Sequence, residues 1–287
     1  EFHYLRMDQT DVEFPGQAFD INFLVTDAYE LQYVQVDQEN YDRLEIDGWY
    51  NRTRFEGDAQ RSGKRRQFPL FDAIQYLGFT DVNSASTGFR TAVSWGDEQD
   101  DSQLTAGVDL RHLRQELNEF SRIGDPPVQQ TDFPTIGDVN SPIPRSRSTN
   151  PGIFAEHELA LDDSLSLTTG VRVDWSSAEV TDNPEKLSAV GSGTPPGTLA
   201  DILGTDDFTQ DFQLWSTFAT LRWELGDGWA LSTAAGHAQR PPTLTELYAA
   251  QTFLFLLQNG QNTATGDPEL AHERLWQVDV GLELDQG

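Results

Sequence analysis

Cysteine is absent from the 287 residues, which excludes a disulfide framework and any thiolate metal site. Basic residues are scarce as well: 19 Lys+Arg stand against 47 Asp+Glu, a formal charge of −28. That excludes a nucleic-acid partner, because a phosphate backbone needs a basic surface. Long apolar runs are missing. The longest is Phe253-Leu254-Phe255-Leu256-Leu257, far short of the roughly 18 residues a membrane helix needs. A membrane-embedded form would have to cross with strands. Apolar content is 37% and mean hydropathy −0.53, low for a chain that buries one large core. Enzyme signatures are also lacking: there is no Gly-x-Ser-x-Gly, no phosphate-binding glycine loop, and His157-Glu158 and His272-Glu273 have no second His one helical turn on. No catalytic residue, metal site or cofactor is expected. The chain opens on Glu1-Phe2-His3-Tyr4 without a charged-then-apolar signal segment, and is read as starting inside a longer protein.

What the sequence does have is alternation. Trp276, Val278, Val280, Leu282 and Leu284 interleave with Gln277, Asp279, Gly281, Glu283 and Asp285, the pattern of a strand with one oily and one polar face. Leu165, Leu167, Val171, Val173 and Trp175 alternate with Ser166, Thr168, Gly170, Arg172 and Asp174, and residues 103–111 do the same. About ten strands are predicted by this pattern, near 2–9, 29–37, 43–55, 87–96, 102–118, 151–161, 164–180, 211–225, 228–240 and 272–285.

The connections alternate too. Tight polar turns at 97–101, 162–163 and 226–228 take turns with longer segments, of which 119–150 and 181–210 are rich in Pro, Gly, Ser and Asp. Transmembrane barrels have short turns on one side and long loops on the other. Six of the seven Trp fall on the face already defined as oily by aliphatic residues. Trp95, Trp223 and Trp229 lie beside short turns, and Trp175, Trp215 and Trp276 at the long-loop ends, as two aromatic girdles would. No motif recurs at a fixed period.

The strand ending at Arg240 runs into Gly236-His237-Ala238-Gln239-Arg240-Pro241-Pro242-Thr243-Leu244-Thr245-Glu246-Leu247-Tyr248. After an irregular stretch comes Gly266-Asp267-Pro268-Glu269-Leu270-Ala271-His272-Glu273, then the cleanest strand of all. Prolines 241 and 242 end the ladder, Thr243 and Glu246 suit a capping box, and Gly266-Asp267-Pro268 is turn chemistry. Arg240 and Glu273 fall at the mouth ends of neighbouring strands, close enough to pair. Together these segments resemble the late-barrel signature of TonB-dependent outer-membrane receptors, in which Arg240, Pro242, Thr243, Glu246, Tyr248, Gly266, Asp267, Pro268, Leu270 and Glu273 match. Pro241 stands where that pattern has a small residue and His272 where it has proline; neither change touches a charged or turn-forming position. Phe154-Ala155-Glu156-His157-Glu158-Leu159 and Gly170-Val171-Arg172-Val173-Asp174 resemble a hairpin of the same family.

The resemblance implies an all-β, transmembrane antiparallel barrel, of which residues 1–287 form about ten of roughly 22 strands. The plug domain and the closing strands would lie outside this span. It also implies TonB-coupled uptake of a scarce ligand such as a ferric siderophore or other metal chelate, in the bacterial outer membrane. The implied partners are lipid and lipopolysaccharide, the plug, and the TonB complex acting through the plug. A passive porin-like barrel and a soluble acidic β-sandwich or adhesin are the alternatives. One loop departs from the acidic rule. Arg61, Lys64, Arg65 and Arg66 cluster before Pro69, where Phe71, Ile74 and Leu77 recur at helical spacing. The cluster is either a packed or lipopolysaccharide-facing patch or an attractor for an anionic ligand. Tyr248, Phe253 and Phe255 either supply aromatic ligand contacts or pack their loop against the barrel.

Overall fold

In the computed structural model, residues 1–13, 19–73, 76–96, 101–123, 139–182, 197–252 and 264–284 are described. The elements in chain order are β1 (Phe2–Val12), β2 (Asp20–Gln38), β3 (Tyr41–Asp58), α1 (Ser62–Gln67), α2 (Pro69–Ala73), β4 (Tyr76–Trp95), β5 (Ser102–Ile123) and β6 (Val139–Asp162). They continue with β7 (Leu165–Val180), α3 (Leu199–Leu203), β8 (Thr209–Gly226), β9 (Trp229–Arg240), α4 (Leu244–Tyr248), β10 (Ala250–Thr252), β11 (Ala264–Thr265) and β12 (Glu273–Leu284). Ten strands form one sheet in sequence order, β1 through β9 and then β12, and β10 with β11 form a separate ladder. Every neighbouring pair in the large sheet is antiparallel. The sheet is open: among the described residues β1 pairs only with β2, and β12 only with β9.

Ten main strands were expected and ten are present among the described residues, but several are longer than the alternation indicated. β2 begins at Asp20 rather than near 29, β4 at Tyr76 rather than near 87, and β6 at Val139 rather than near 151. The predicted loop 119–150 therefore gives up both its ends to β5 and β6. The reason is local. Beyond the oily band both faces of a strand meet polar surroundings, so the period-two signal fades although the ladder continues. In β6 the buried Pro142 and Pro144 mimic loop chemistry. They sit where the pairing with β5 slips, around Leu117↔Ile143, the kind of irregularity at which a strand tolerates proline.

At one end of the sheet the strands are joined by brief segments, 39–40, 96–101, 163–164 and 227–228; at the other the connections are long. Asp227 and Gly228 both have positive φ, 53° and 76°, the requirement of the two-residue hairpin that follows strand twist. Register places side chains on two faces. Trp95, Trp175, Trp215, Trp223, Trp229 and Trp276 are all exposed and share the face of Val171, Val280 and Leu282. The seventh, Trp49, is on the other face, directly opposite Gly88. Phe154 opposite Gly107 and Phe218 opposite Gly170 repeat this arrangement. In all three pairs a Cβ on the glycine would overlap the aromatic ring, so each ring occupies the space over a bare backbone, a device that also pins register.

Candidate functional site

Two neighbouring regions concentrate the chemistry: a packed cluster at the long-loop end, around α4, and a hollow on the polar face below it. The cluster begins with Arg240. Its partner across the ladder is Glu273, which accepts from Arg240 Nε at 3.0 Å and lies 2.9 Å from its Nη2. The same guanidinium also donates to both oxygens of Glu246, each at 3.0 Å. Pairing of Arg240 with Glu273 was expected; the second carboxylate was not. Thr243 caps α4, accepting from Glu246 N at 3.2 Å while its own N–H donates to the Glu246 carboxylate at 2.7 Å. The expected capping box is present. Arg240 first and the Thr243 amide second hold the Glu246 carboxyl down at about 2.

α4 is one turn long, yet Leu244, Leu247 and Tyr248 are buried against Ala178 on β7, with Leu113, Val180, Leu203, Phe208 and Phe212 around them. Tyr248 donates its hydroxyl to the Ala178 carbonyl at 3.0 Å. Its side chain is fully buried, which places it in the packing of this loop against β7. Phe253 and Phe255 lie outside the described residues. The Gly-Asp-Pro segment docks on the same helix. Gly266 N donates to Ala249 O at 2.6 Å and Asp267 N to Glu246 O at 2.9 Å, and a Cβ at Gly266 would lie 2.6 Å from the Leu247 carbonyl. Asp267 Oδ1 accepts from Glu269 N at 2.9 Å, Leu270 N closes the turn on Asp267 O, and Pro268 is buried. Pro242, buried beside Thr243, ends the β9 ladder. The motif is thus one structural unit that anchors a long connection to the inner side of β7.

Below it, a hollow of about 470 Å³ is lined by Arg90, Asp109, Phe154, Glu156, Arg172 and Phe218 among others. Arg90 lies over the Phe154 ring, 4.7 Å from its centroid. Arg172 donates to both oxygens of Asp109, at 2.5 and 2.8 Å, and also to Asp174. This network was missed by sequence reading; alternation placed Arg172 and Asp174 on the polar face without joining them to Asp109.

The basic loop folds back on its own acids. Lys64, which is 1% exposed, pairs with Asp20 at 3.0 Å. Arg61 pairs with Asp11 at 2.5 Å, and Arg65 donates to Gln60 at 2.7 Å. Lys64 thus acts as a buried lock against Asp20, and only Arg66 among the four is exposed. A helix does start at Pro69 as expected, but it ends at Ala73; Leu77 belongs to β4 and Ile74 lies outside the described residues. No group of three or more metal-ligating side chains occurs among the described residues.

The whole of residues 4–287 matches the family described as TonB dependent receptor-like, beta-barrel. The chain belongs to this family, whose members are outer-membrane β-barrels. Its oily face is accordingly the lipid face, its polar face lines the lumen, and the long connections lie at the extracellular end. No curated protein matches the chain. Solved structures resemble it in fold. The copper transporter OprC is 20% identical with a TM-score of 0.72, over 95% of this chain and 38% of that one. The ferric yersiniabactin uptake receptor FyuA from Yersinia pestis is 12% identical with a TM-score of 0.60, over 93% and 34%. The ferric citrate transporter FecA is 14% identical with a TM-score of 0.53, over 94% and 33%. The chain therefore spans little more than a third of the length of these receptors.

Proposed function

We propose that this chain is part of an outer-membrane receptor that takes up a scarce small ligand, a ferric siderophore or other metal chelate, with energy relayed through TonB. The observation that carries the reading is the family match across residues 4–287, together with the Arg240, Glu246 and Glu273 cluster that builds the mouth. The solved relatives named above carry copper, ferric yersiniabactin and ferric citrate, and the same class of cargo is proposed here. In this reading a plug domain fills the lumen against Arg172 and Phe218, the TonB complex engages that plug, and the remaining strands close the barrel. Lipid and lipopolysaccharide surround the outer face. Arg66, with Phe253 and Phe255, is the proposed ligand-facing set, and Arg61 and Arg65 support it from their own ion pairs.

Uptake assays on the intact gene test this. Cells carrying it should accumulate radiolabelled ferric chelate or copper under metal limitation, and lose that uptake when TonB is deleted. Uptake that persists without TonB would put the passive porin reading ahead.

A further inference from the structure

We propose that the outer wall of the barrel carries a binding site for a phosphorylated outer-leaflet glycolipid, built across β3, β5 and β6 with Arg52 and Arg114 at its centre. The argument starts from register. On the lipid face, Phe2, Leu31, Gly48, Phe89 and Leu110 are paired in succession across β1 to β5, and form an apolar row. Two residues further toward the extracellular end the row is of another kind. Tyr4 faces Tyr29 and Tyr29 faces Tyr50, with ring centroids 4.9 and 6.2 Å apart. The same row continues through Thr87, His112, Thr149 and Ser177. Every one of these side chains has an apolar body and a polar tip, which suits the boundary between acyl chain and headgroup.

The next row out is cationic. Arg52 faces Ala85, Ala85 faces Arg114, and Arg114 faces Arg147. At its ends Asp27 lies between Arg6 and Arg52, and Glu179 faces Arg147. In a chain with only 19 basic residues against 47 acidic ones, four arginines fall in this single cross-strand row. The row is not neutralised evenly. Arg6 is held by Asp8 and Asp27, and Arg147 by Glu179. In the middle, the described partners of Arg52 and Arg114 are neutral: Arg52 donates to Asn83 at 3.3 Å and Arg114 to His112 Nε2 at 3.1 Å. Because Nε2 accepts, His112 is neutral, and its Nδ1–H is left to donate to Thr149 Oγ1 at 2.9 Å. The ring thus holds Arg114 through its Nε, with no acidic partner for the guanidinium among the described residues. Arg114 stands directly opposite Arg147, whose charge Glu179 already meets, so Arg114 is the cation of that pair left to an outside anion.

Oil, then amphipathic hydroxyls, then cations is the layering of a lipid whose acyl chains, glycosidic headgroup and phosphates occur in that order. Strand tilt inclines the rows, so the arginines reach successive depths of the headgroup layer. Arginine's planar fork suits phosphate oxygens, and Ala85 leaves a gap between Arg52 and Arg114 where a bulkier residue would close the row.

The test uses the full receptor extracted from the outer membrane into a zwitterionic detergent, stripped of lipid and titrated with diphosphorylated lipid A. Dephosphorylated lipid A and inorganic phosphate form the other arms. Wild type should bind the diphosphorylated lipid and discriminate against both others. Affinity should fall roughly fivefold for each arginine removed, in Arg52→Gln, Arg114→Gln and the double variant. Arg222→Gln, on the lumen side, should bind as wild type. Migration of the unheated barrel on a gel reports assembly, and should the double variant fail to assemble, the single variants decide. Equal binding of the dephosphorylated lipid, unchanged affinity in the assembled variants, the same loss in Arg222→Gln, or inorganic phosphate binding as tightly as the lipid would each overturn the proposal.

Discussion

Arg172 reaches Asp109 by passing directly over Gly152. Gly152 on β6 is paired with Asp109 on one side and Asp174 on the other, so the Arg172 guanidinium bridges β7 to β5 across an intervening strand. A Cβ at Gly152 would overlap Arg172 Nη2 and lie 2.6 Å from Asp174 Oδ1. Gly152→Val is expected to evict the guanidinium and leave two shielded carboxylates without it, at about 1–3 kcal/mol. Urea unfolding of the full barrel should show a lower midpoint for Gly152→Val, with Gly152→Ala between it and wild type. An unchanged midpoint in Gly152→Val would remove the bridge from the stability of the wall.

At the mouth, the sign of the pH dependence follows from Glu246. Its carboxyl is lowered from 4.5 to about 2, so its stabilising contribution is fully present above about pH 4.5 and is lost as pH falls through about 2. Hydrogen exchange at the amides of Leu247 and Ala249, which close α4 onto Thr243 and Thr245, should accelerate across that interval beyond the intrinsic change. In Arg240→Gln the acceleration should begin at higher pH, because the main cause of the shift is gone.

Lys64 and Arg66 sit two residues apart and should respond in opposite ways to neutralisation. Lys64→Met leaves Asp20 charged in a buried setting, where breaking a pair costs about 3–5 kcal/mol. Arg66→Gln is expected to leave the unfolding midpoint unchanged and to slow capture of an anionic chelate, more at low salt than at high salt because exposed charges are screened within about 10 Å at 0.1 M. A stable Lys64→Met variant would contradict the buried lock.

A membrane-restricted photolabel should mark Leu165, Val171, Val280 and Leu282, which share the lipid face. Arg172, Asp279 and Glu283 should remain unmarked. Labelling of the second set would reverse the orientation of the wall.

Expressed alone, residues 1–287 should aggregate in water. β1 and β12 each leave an edge of backbone donors and acceptors unpaired, and Val278 and Val280 are 78% and 73% exposed. Size-exclusion chromatography with and without detergent reads this out; a cooperatively melting monomer in water would favour a soluble sandwich instead.

Legibility in the sequence followed the oil. Where one face meets lipid, as from Trp276 to Leu284, alternation gave the strand to within a residue of its ends. Where the strand rises past the girdle, as from Pro142 to Asn150, prolines and polar residues interrupt the alternation and the pattern carries no period. The pairing of Arg240 with Glu273 was legible because both belong to one motif. Arg172 with Asp109 was not, because they are 63 positions apart and joined only by the register of a third strand. Lys64 misled for a related reason: a run of cations reads as surface until the acid that buries one of them, Asp20, is placed beside it.

His237, on the lipid face of β9, has its ring centroid 4.2 Å from that of Trp215 and 4.2 Å from that of Trp276. The three rings come from β8, β9 and β12, and the last of these is separated from β9 by the long excursion through α4. The triplet is complete only once β12 brings Trp276, so the second indole against the imidazole is a built-in optical marker of that event. The second indole, tilted by 30° against the imidazole, should add a near-ultraviolet dichroism contribution that is silent while the sheet ends at β9. Its appearance would time the step at which this wall accepts its tenth strand, without a label and without disturbing either face.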